Sequence, residues 1–358
     1  MVAYFPPPYP DELFYSICAR FAALMRYPSP REMMQDLFGK TSIIATIEFP
    51  SHLGNFVNAV PWPEIYSVEN IIQRYTLLPL YTPFMPTGRL NQIKADMCSN
   101  RGMGIHMRAG LMADGMLVLG KLRYCPKCFQ EDQEKFHDSY WHRAHQIAGV
   151  NICPIHHIFL EESQAQRTGQ RTRYLFYSAK DSIEQTVHQR NDTTPNKLLT
   201  YISDDVFWLL ASSDLAGNPS KIHQGYLTQL TKRRFANKNG RLNTQKLLVE
   251  FTNFYGNDVL DSIGCNINGV KDNWLLRLLH RSDRVYPPLR HILLIRFLGL
   301  TTQEFFQFVE EIELDNLRSS QSSSEPLPKE LKARNLPTFD SVWDGKLKMC
   351  QHPIFSTT

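Results

Sequence analysis

The sequence has no apolar run of membrane-spanning length. The longest candidate, "PLRHILLIRFLGL" (Pro288 to Leu300), is broken by Arg290, His291 and Arg296. Its first residues, "MVAYFPPPYPDELF", lack a basic region followed by an apolar stretch, so no secretion signal is expected. Cysteine is scarce and odd in number, seven in 358 residues. Without a secretion signal, that predicts reduced thiols in the cytoplasm rather than a disulfide framework. No glycine loop precedes a Lys-Ser or Lys-Thr pair, which removes the common ATPase signature, and no serine nucleophile elbow is present. The acidic residues show no spacing that argues for a magnesium-dependent nuclease; with triads drawn from distant positions, that chemistry stays as a third reading. No catalytic residue is assigned, and a binding protein rather than an enzyme is expected.

Acidic residues are also missing locally. The net charge is only +4, yet Leu215 to Leu300 holds 13 Lys and Arg against 5 Asp and Glu, and Leu215 to Val249 holds no acid at all. Such asymmetry predicts either a solvated basic face or an anionic partner, double-stranded DNA first.

Against these absences stands one concentration. "YCPKCFQEDQEKFHDSYWHRAHQIAGVNICPIHHIFL" (Tyr124 to Leu160) holds three of the seven cysteines and five of the twelve histidines. The pattern is Cys125-x-x-Cys128 followed by Cys153-x-x-His156. Ligands three positions apart on a tight turn can face one ion, and two such halves make a tetrahedral Cys3His set for Zn2+. Pro126 and Pro154 stiffen the two turns. Four protein ligands leave no open position, so the zinc is expected to be structural, its binding energy on the order of 10 kcal/mol acting as folding energy. A redox Cys pair lacks its strand-helix context here. His157 is the rival to His156, while His142 and His145 fall in "DSYWHRAHQI" (Asp138 to Ile147), which reads as a short helix capped by Asp138 or Ser139. Tyr140, Trp141 and Ile147 are expected to pack over the metal turns.

Asp11 is expected to cap a helix from Glu12 to about Met25, with Leu13, Ile17, Phe21 and Leu24 inward. Ser29-Pro30-Arg31-Glu32 reads as a capping box opening a helix that stops at Gly39. A helix is predicted over Val68 to Leu78, and helix plus loop over Met97 to Leu119. Ser29 to Val60 fits either a helix-turn-helix or plain helical packing. "RTRYLFYSA" (Arg171 to Ala179) is the best strand candidate, and Asp204 to Ser212 reads as helix. Asn243 caps Thr244 to Tyr255, with Leu247, Leu248, Phe251 and Phe254 inward and Gly256 as the stop. Asp258 to Ile263 and a helix capped by Asp272 and running through His280 complete a helix-turn-helix outline. Trp274, Leu275, Leu278 and Leu279 would pack it. Pro288 opens a helix on which Arg290, His291 and Arg296 add charge, and Thr301 or Thr302 caps a last helix through Ile312. "SSQSSSEPLPKE" (Ser319 to Glu330) has linker composition.

The sequence therefore predicts a mainly α chain with helix-turn-helix domains flanking a small Cys3His zinc finger. Residues 1–120 form an N-terminal helical domain and 121–165 the zinc finger. Residues 166–214 connect these to a basic helical domain, 215–312, and 313–358 form a linker and tail. The candidate DNA contacts are Lys232, Arg233, Arg234, Lys238, Arg241, Lys246, Arg277, His280, Arg281 and Arg284.

The same residues carry a resemblance. "YCPKC…YWHRAHQIAGVNICPIHH" resembles the zinc core of the TniQ/TnsD family, target-site selectors of Tn7-like transposons. "FPPPYPDELFYSICARFA" (Phe5 to Ala22) is similar to that family's opening pattern of prolines, an acid, a Tyr-Ser pair and an arginine. "PSHLGNF" (Pro50 to Phe56), "YTLLPLYTPFMP" (Tyr75 to Pro86) and "NWLLRLLHRSDRVYPPLRHILLIRFLG" (Asn273 to Gly299) are similar to stretches of the TnsD branch. The resemblance covers roughly residues 5 to 310, and larger members continue further. It implies a bacterial, nucleoid-associated DNA-binding protein that recognises an attachment site and recruits the AAA+ ATPase regulator (TnsC-like) of transposition. The alternative it implies is a TniQ-type adaptor that docks on a CRISPR RNA-guided effector complex.

Overall fold

A computed structural model describes residues 1–321 except 103, 110–118, 168–173, 187–193, 213–214, 216, 270–272 and 281–283. Helices dominate. The first group is α1 (Phe14–Met25), α2 (Pro30–Phe38), α3 (Leu53–Ala59), α4 (Val68–Tyr75), α5 (Leu78–Tyr81), α6 (Thr87–Cys98) and α7 (Ile105–Arg108). The middle of the chain holds β1 (Lys121–Tyr124), α8 (Pro126–Phe136), β2 (Glu161–Gln166), α9 (Ala179–Glu184) and α10 (Lys197–Ala211). The last group is α11 (Pro219–Lys232), α12 (Thr244–Tyr255), α13 (Asn257–Ser262), α14 (Trp274–His280), α15 (Pro288–Phe297) and α16 (Thr302–Gln321).

Local chemistry sets many of these boundaries. The Ser29 hydroxyl accepts from the Glu32 amide at the start of α2, Pro30 takes the first helical position, and Gly39 ends the helix at φ +69°. The Asn243 side chain accepts from the Lys246 amide and Gly256 closes α12, as the sequence predicts. Thr301 and Glu304 form a reciprocal box on α16: each side chain accepts from the other's amide, at 3.0 and 2.7 Å.

Other expectations are corrected. Asp11 does not cap α1. It sits at φ +56° and spends its carboxylate on residues far along the chain. The helix expected through Leu78 ends at Tyr75, where the Thr76 hydroxyl turns back to the Ile72 carbonyl. Met97 to Leu119 is helix plus loop as expected among its described residues, with the end of α6 and the four-residue α7. Asp138 to Ile147 is not a helix: His142 is extended and only Arg143–Gln146 makes a 3-10 turn. The strand expected at Arg171–Ala179 is absent among its described residues, Tyr174 to Ala179, and Arg171–Arg173 lie outside them. The strands among the described residues are β1 and β2, antiparallel, with Arg123 opposite Glu162 and Tyr124 opposite Glu161. Phe254 is exposed and Tyr255 takes the inward position. Asp272 lies outside the described residues; Asn273 accepts from the Leu276 amide instead. α2 and α3 pack together, but through the long loop Gly39 to His52 rather than a tight turn.

One apolar cluster runs from Phe5 to Val309, so the helices on either side of the zinc segment share a core. Arg290, His291 and Arg296, expected to add surface charge, belong to its edges. Arg290 and His291 are buried; Arg290 lies over the Trp274 ring at 5.4 Å and His291 accepts from or donates to the Tyr226 hydroxyl at 2.9 Å. Arg296 is paired with Asp205.

No single described helix is long and apolar enough to cross a membrane. The linker-like stretch from Ser319 begins inside α16, and its residues from 322 lie outside the described ones.

Candidate metal centre and basic surface

The zinc segment is held from outside before any metal is considered. Asp11 Oδ1 accepts from Arg143 Nε and Oδ2 from the Ala144 amide, both at 3.0 Å. The Leu13 amide donates to the Trp141 carbonyl, and the Ser16 hydroxyl oxygen accepts from the Trp141 amide. Ser16 in turn donates to the buried Glu12 carboxylate, which also binds Arg20; Arg20 reaches on to Asp138. Tyr15 takes the Tyr177 amide and donates to the Leu175 carbonyl. The acids, Tyr-Ser pair and arginine of the opening stretch are thus a clamp on residues 138–144 and 175–177. On its other side the segment meets α10 and the last helices: Ser203 donates to the Ile152 carbonyl and Asn151 to the Ser262 carbonyl.

β1 delivers the chain into Cys125, and β2 carries it away after Leu160. Cys125 stands just before α8, Pro126 occupies its first position and Cys128 lies in its first turn. The second half is a turn bridged at Ile152 and Phe159, in which the His156 amide points at Cys153 Sγ, 3.5 Å away. The four ligand atoms all lie within 4.8 Å of one another. His156 Nδ1 is 3.5 Å from Cys125 Sγ, 3.3 Å from Cys128 Sγ and 3.8 Å from Cys153 Sγ, while Cys128 and Cys153 Sγ are 3.7 Å apart. Sulfur at about 2.3 Å and nitrogen at about 2.0 Å from one zinc ion stand roughly 3.5–3.8 Å apart on a tetrahedron. The donor set and its spacing therefore fit a structural zinc ion.

Without a cation the three sulfurs cannot all ionise: hydrogen bonds from Cys128 and then Cys153 hold Cys125 well below the usual thiol range, at the expense of the other two. Hydrogen bonds to its neighbours' sulfurs push the Cys128 thiol up, and burial first of all pushes Cys153 up to about 12. A bound dication removes that limit.

His156 rather than His157 completes the set. His157 Nε2 pairs with Asp204 Oδ1 at 3.0 Å, with its ring half exposed and its backbone at φ +51°. Sequence reasoning missed Glu131, whose Oε1 accepts from His156 Nε2 at 2.8 Å and fixes Nδ1 as the ligating nitrogen. It also missed the role of His145, whose Nε2 stands 3.8 Å from Cys128 Sγ. Burial holds its imidazole down to about 3, so it is neutral. His142 is paired with Asp132 at 2.9 Å; burial, the largest influence, opposes its charge, but Asp132 together with Asp11 and Cys125 raises it. The residues packed on the metal turns are Ile155, Ile158 and Leu160. Trp141 and Ile147 are buried in the main core instead, and Tyr140 is buried against the rings of Tyr9 and His142.

The candidate DNA contacts divide into groups. Lys232, Arg233, Arg234, Lys238, Arg241 and Lys246 are all exposed at the connection between α11 and α12. Lys246 lies over the Phe235 ring at 5.0 Å and 3.8 Å from Glu250. Arg233 rests its guanidinium against Gly299 at the end of α15. His280 and Arg284 are exposed, Arg277 is half-buried, and Arg281 lies outside the described residues.

Two family profiles match this mainly helical chain. The TniQ family profile matches residues 3–160, and the profile described as Tn7-like transposition protein D matches residues 202–321. This chain belongs to the TniQ/TnsD family. Transposon Tn7 transposition protein TnsD of Escherichia coli is 30% identical to it over 152 residues, 42% of this chain. That match spans 30% of the relative's own length.

Proposed function

We propose that this protein selects target sites for a Tn7-like transposon. It binds double-stranded DNA at an attachment site through the basic α11–α12 corner and the α12–α13–α14 unit, read as a helix-turn-helix variant. It recruits the AAA+ ATPase that regulates transposition. The observation that carries the DNA half is the acid-free corner: Lys232, Arg233, Arg234, Lys238 and Arg241 are exposed and none has an ion-pair partner among the described residues. By contrast, Arg20, Arg143, Arg167 and Arg296 elsewhere in the fold all meet carboxylates. Unneutralised cations on a rigid scaffold are what a polyanion requires. Family membership supports the transposition half.

The protein acts as a binder, not an enzyme. Cys125, Cys128, Cys153 and His156 would hold the zinc ion, which when bound cross-links two turns and supplies no open coordination position. A cytoplasmic, nucleoid-associated place follows from this role.

The test is enrichment of duplexes from a randomised pool by purified protein, followed by capture of the transposon's ATPase on the enriched duplex. One preferred sequence and ATPase retention are expected. Binding without preference, together with stable association with a CRISPR effector, would replace direct recognition by the adaptor reading.

A further inference from the structure

The connection between α11 and α12 is not a passive loop. Ala236 and Leu242 bridge antiparallel, and the Asn237 amide donates to the Arg241 carbonyl at 3.0 Å. The Asn243 amide closes the base on the Phe235 carbonyl at 2.8 Å. Inside the turn, Asn237 Oδ1 accepts from both the Asn239 amide, at 3.0 Å, and the Arg241 amide, at 2.9 Å. The Gly240 amide returns to the Asn237 carbonyl at 2.9 Å, and Gly240 takes φ +76° with open space around it. Asn237, Lys238, Asn239 and Arg241 are exposed, while Phe235 and Ala236 are buried below them. A small hairpin, rooted in the core and locked by one asparagine, thus carries two cations at its tip and Arg234 at its base.

Resting on the DNA-binding reading above, the geometry points to this turn as a phosphate clamp. Lys238 and Arg241 contact the sugar-phosphate backbone of duplex DNA, and Asn237 and Gly240 are positioning residues that hold them in place. Three features assign phosphates rather than bases. The tip is short and offers no apolar side chain to a base or methyl group. Its charges are exposed and have no acidic partner among the described residues. Of its two side-chain amides, that of Asn237 is already committed inside the turn through Oδ1. Contacts of this kind position a protein on DNA and add affinity without sequence information. Holding the turn in its bound shape beforehand lowers the ordering cost of each contact. The division of labour follows: this turn supplies grip, and discrimination comes from another element.

The test uses the full chain with zinc, a duplex enriched from a randomised pool and its scrambled counterpart, titrated over a salt series. Lys238→Ala and Arg241→Ala are each expected to weaken both duplexes by the same factor and to lower the salt slope by about 1. Gly240→Ala keeps every charge but strains the left-handed position. It is expected to weaken both duplexes about fivefold with the salt slope unchanged. Gly240→Asn, which tolerates that conformation, should restore the affinity. A merely structural role for the turn would leave the salt slopes of the charge variants at the parent value. Parent-like affinity and slope in Lys238→Ala and Arg241→Ala, with a parent that still binds DNA, would overturn the clamp alone. A larger loss on the enriched duplex than on the scrambled one would overturn it too, by making the turn a base reader. A parent that binds neither duplex removes the clamp together with the DNA-binding reading.

Discussion

Asp11 and Arg143 form a buried ion pair across 132 positions of sequence, and nearly every donor of the guanidinium is used. Nε binds Asp11, one terminal nitrogen donates to the carbonyls of Gln73 and Thr76, and the other to that of Leu210. Three segments of backbone, from α4, the turn after it and α10, thus end on one side chain. Truncating one partner of such a pair leaves an uncompensated buried charge and costs about 3–5 kcal/mol. Asp11→Ala is therefore expected to lower denaturant stability by that amount. Arg20→Ala strands the buried Glu12 carboxylate in the same way and should also be destabilising.

Metal retention separates the two adjacent histidines. His156→Ala and Cys128→Ser are expected to lose stoichiometric zinc and to loosen the fold, by a fraction of the order of 10 kcal/mol that a structural site contributes. His157→Ala and Cys98→Ser, the latter at an exposed cysteine outside the cluster, should keep one zinc per chain. Elemental analysis after gel filtration reads all four.

Glu131→Gln tests the outer shell. It removes the carboxylate from His156 Nε2 while leaving all four ligands in place. Zinc affinity should fall about 10- to 100-fold with the fold retained. Competition with a chromophoric chelator measures it.

Gly149 sits at φ +78°, where an added Cβ would lie 2.4 Å from Leu289 Cδ2 and 2.8 Å from the Ile263 carbonyl oxygen. Gly149→Ala should therefore push the zinc segment away from α13 and α15, costing roughly 1–3 kcal/mol by overpacking plus the left-handed strain. Thermal unfolding with zinc in excess checks it.

Acid sensitivity should have a component at His291. Burial, then Arg290, holds its imidazole down to about 3, below the ordinary 6.5. Between those values the unfolded chain binds a proton that the native chain does not. Stability is therefore lost as pH falls below about 6.5, at up to about 1.4 kcal/mol per pH unit. Asp205, raised to about 6 chiefly by burial, titrates in the opposite sense but is common to parent and variant. His291→Phe gives up the Tyr226 hydrogen bond yet should flatten the slope of stability between pH 7 and 5 relative to the parent.

What the sequence revealed, and what it hid, follows from range. Cys125, Cys128, Cys153 and His156 were legible because each half-site is a local turn with fixed spacing. Ser29, Asn243 and Gly256 were legible for the same reason, since a cap acts over three or four residues. Asp11 was misread because its local pattern suits a cap, while its partner lies 132 residues away. Glu131 was invisible because only the folding of α8 over the second turn brings it to His156. β2 was missed because the side chains it buries, Ser163 and Ala165, are small, and "EESQAQ" holds no β-branched or aromatic residue to mark a strand. Arg290 and Arg296 looked like surface charge because composition does not show that Trp274 and Asp205 await them. The helix-turn-helix units expected on either side of the zinc segment depend on how helices are set against each other, which periodicity does not report.

The carbonyls that converge on Arg143 come from elements hundreds of atoms apart along the chain, and the metal-binding turns are bolted to both groups of helices. Buried contacts thereby join the two groups of helices. Under the proposed function, a duplex gripped by the last helices would stand at a set separation and angle from the first ones, so that spacing would be a dimension of the folded chain rather than a matter of chance encounter.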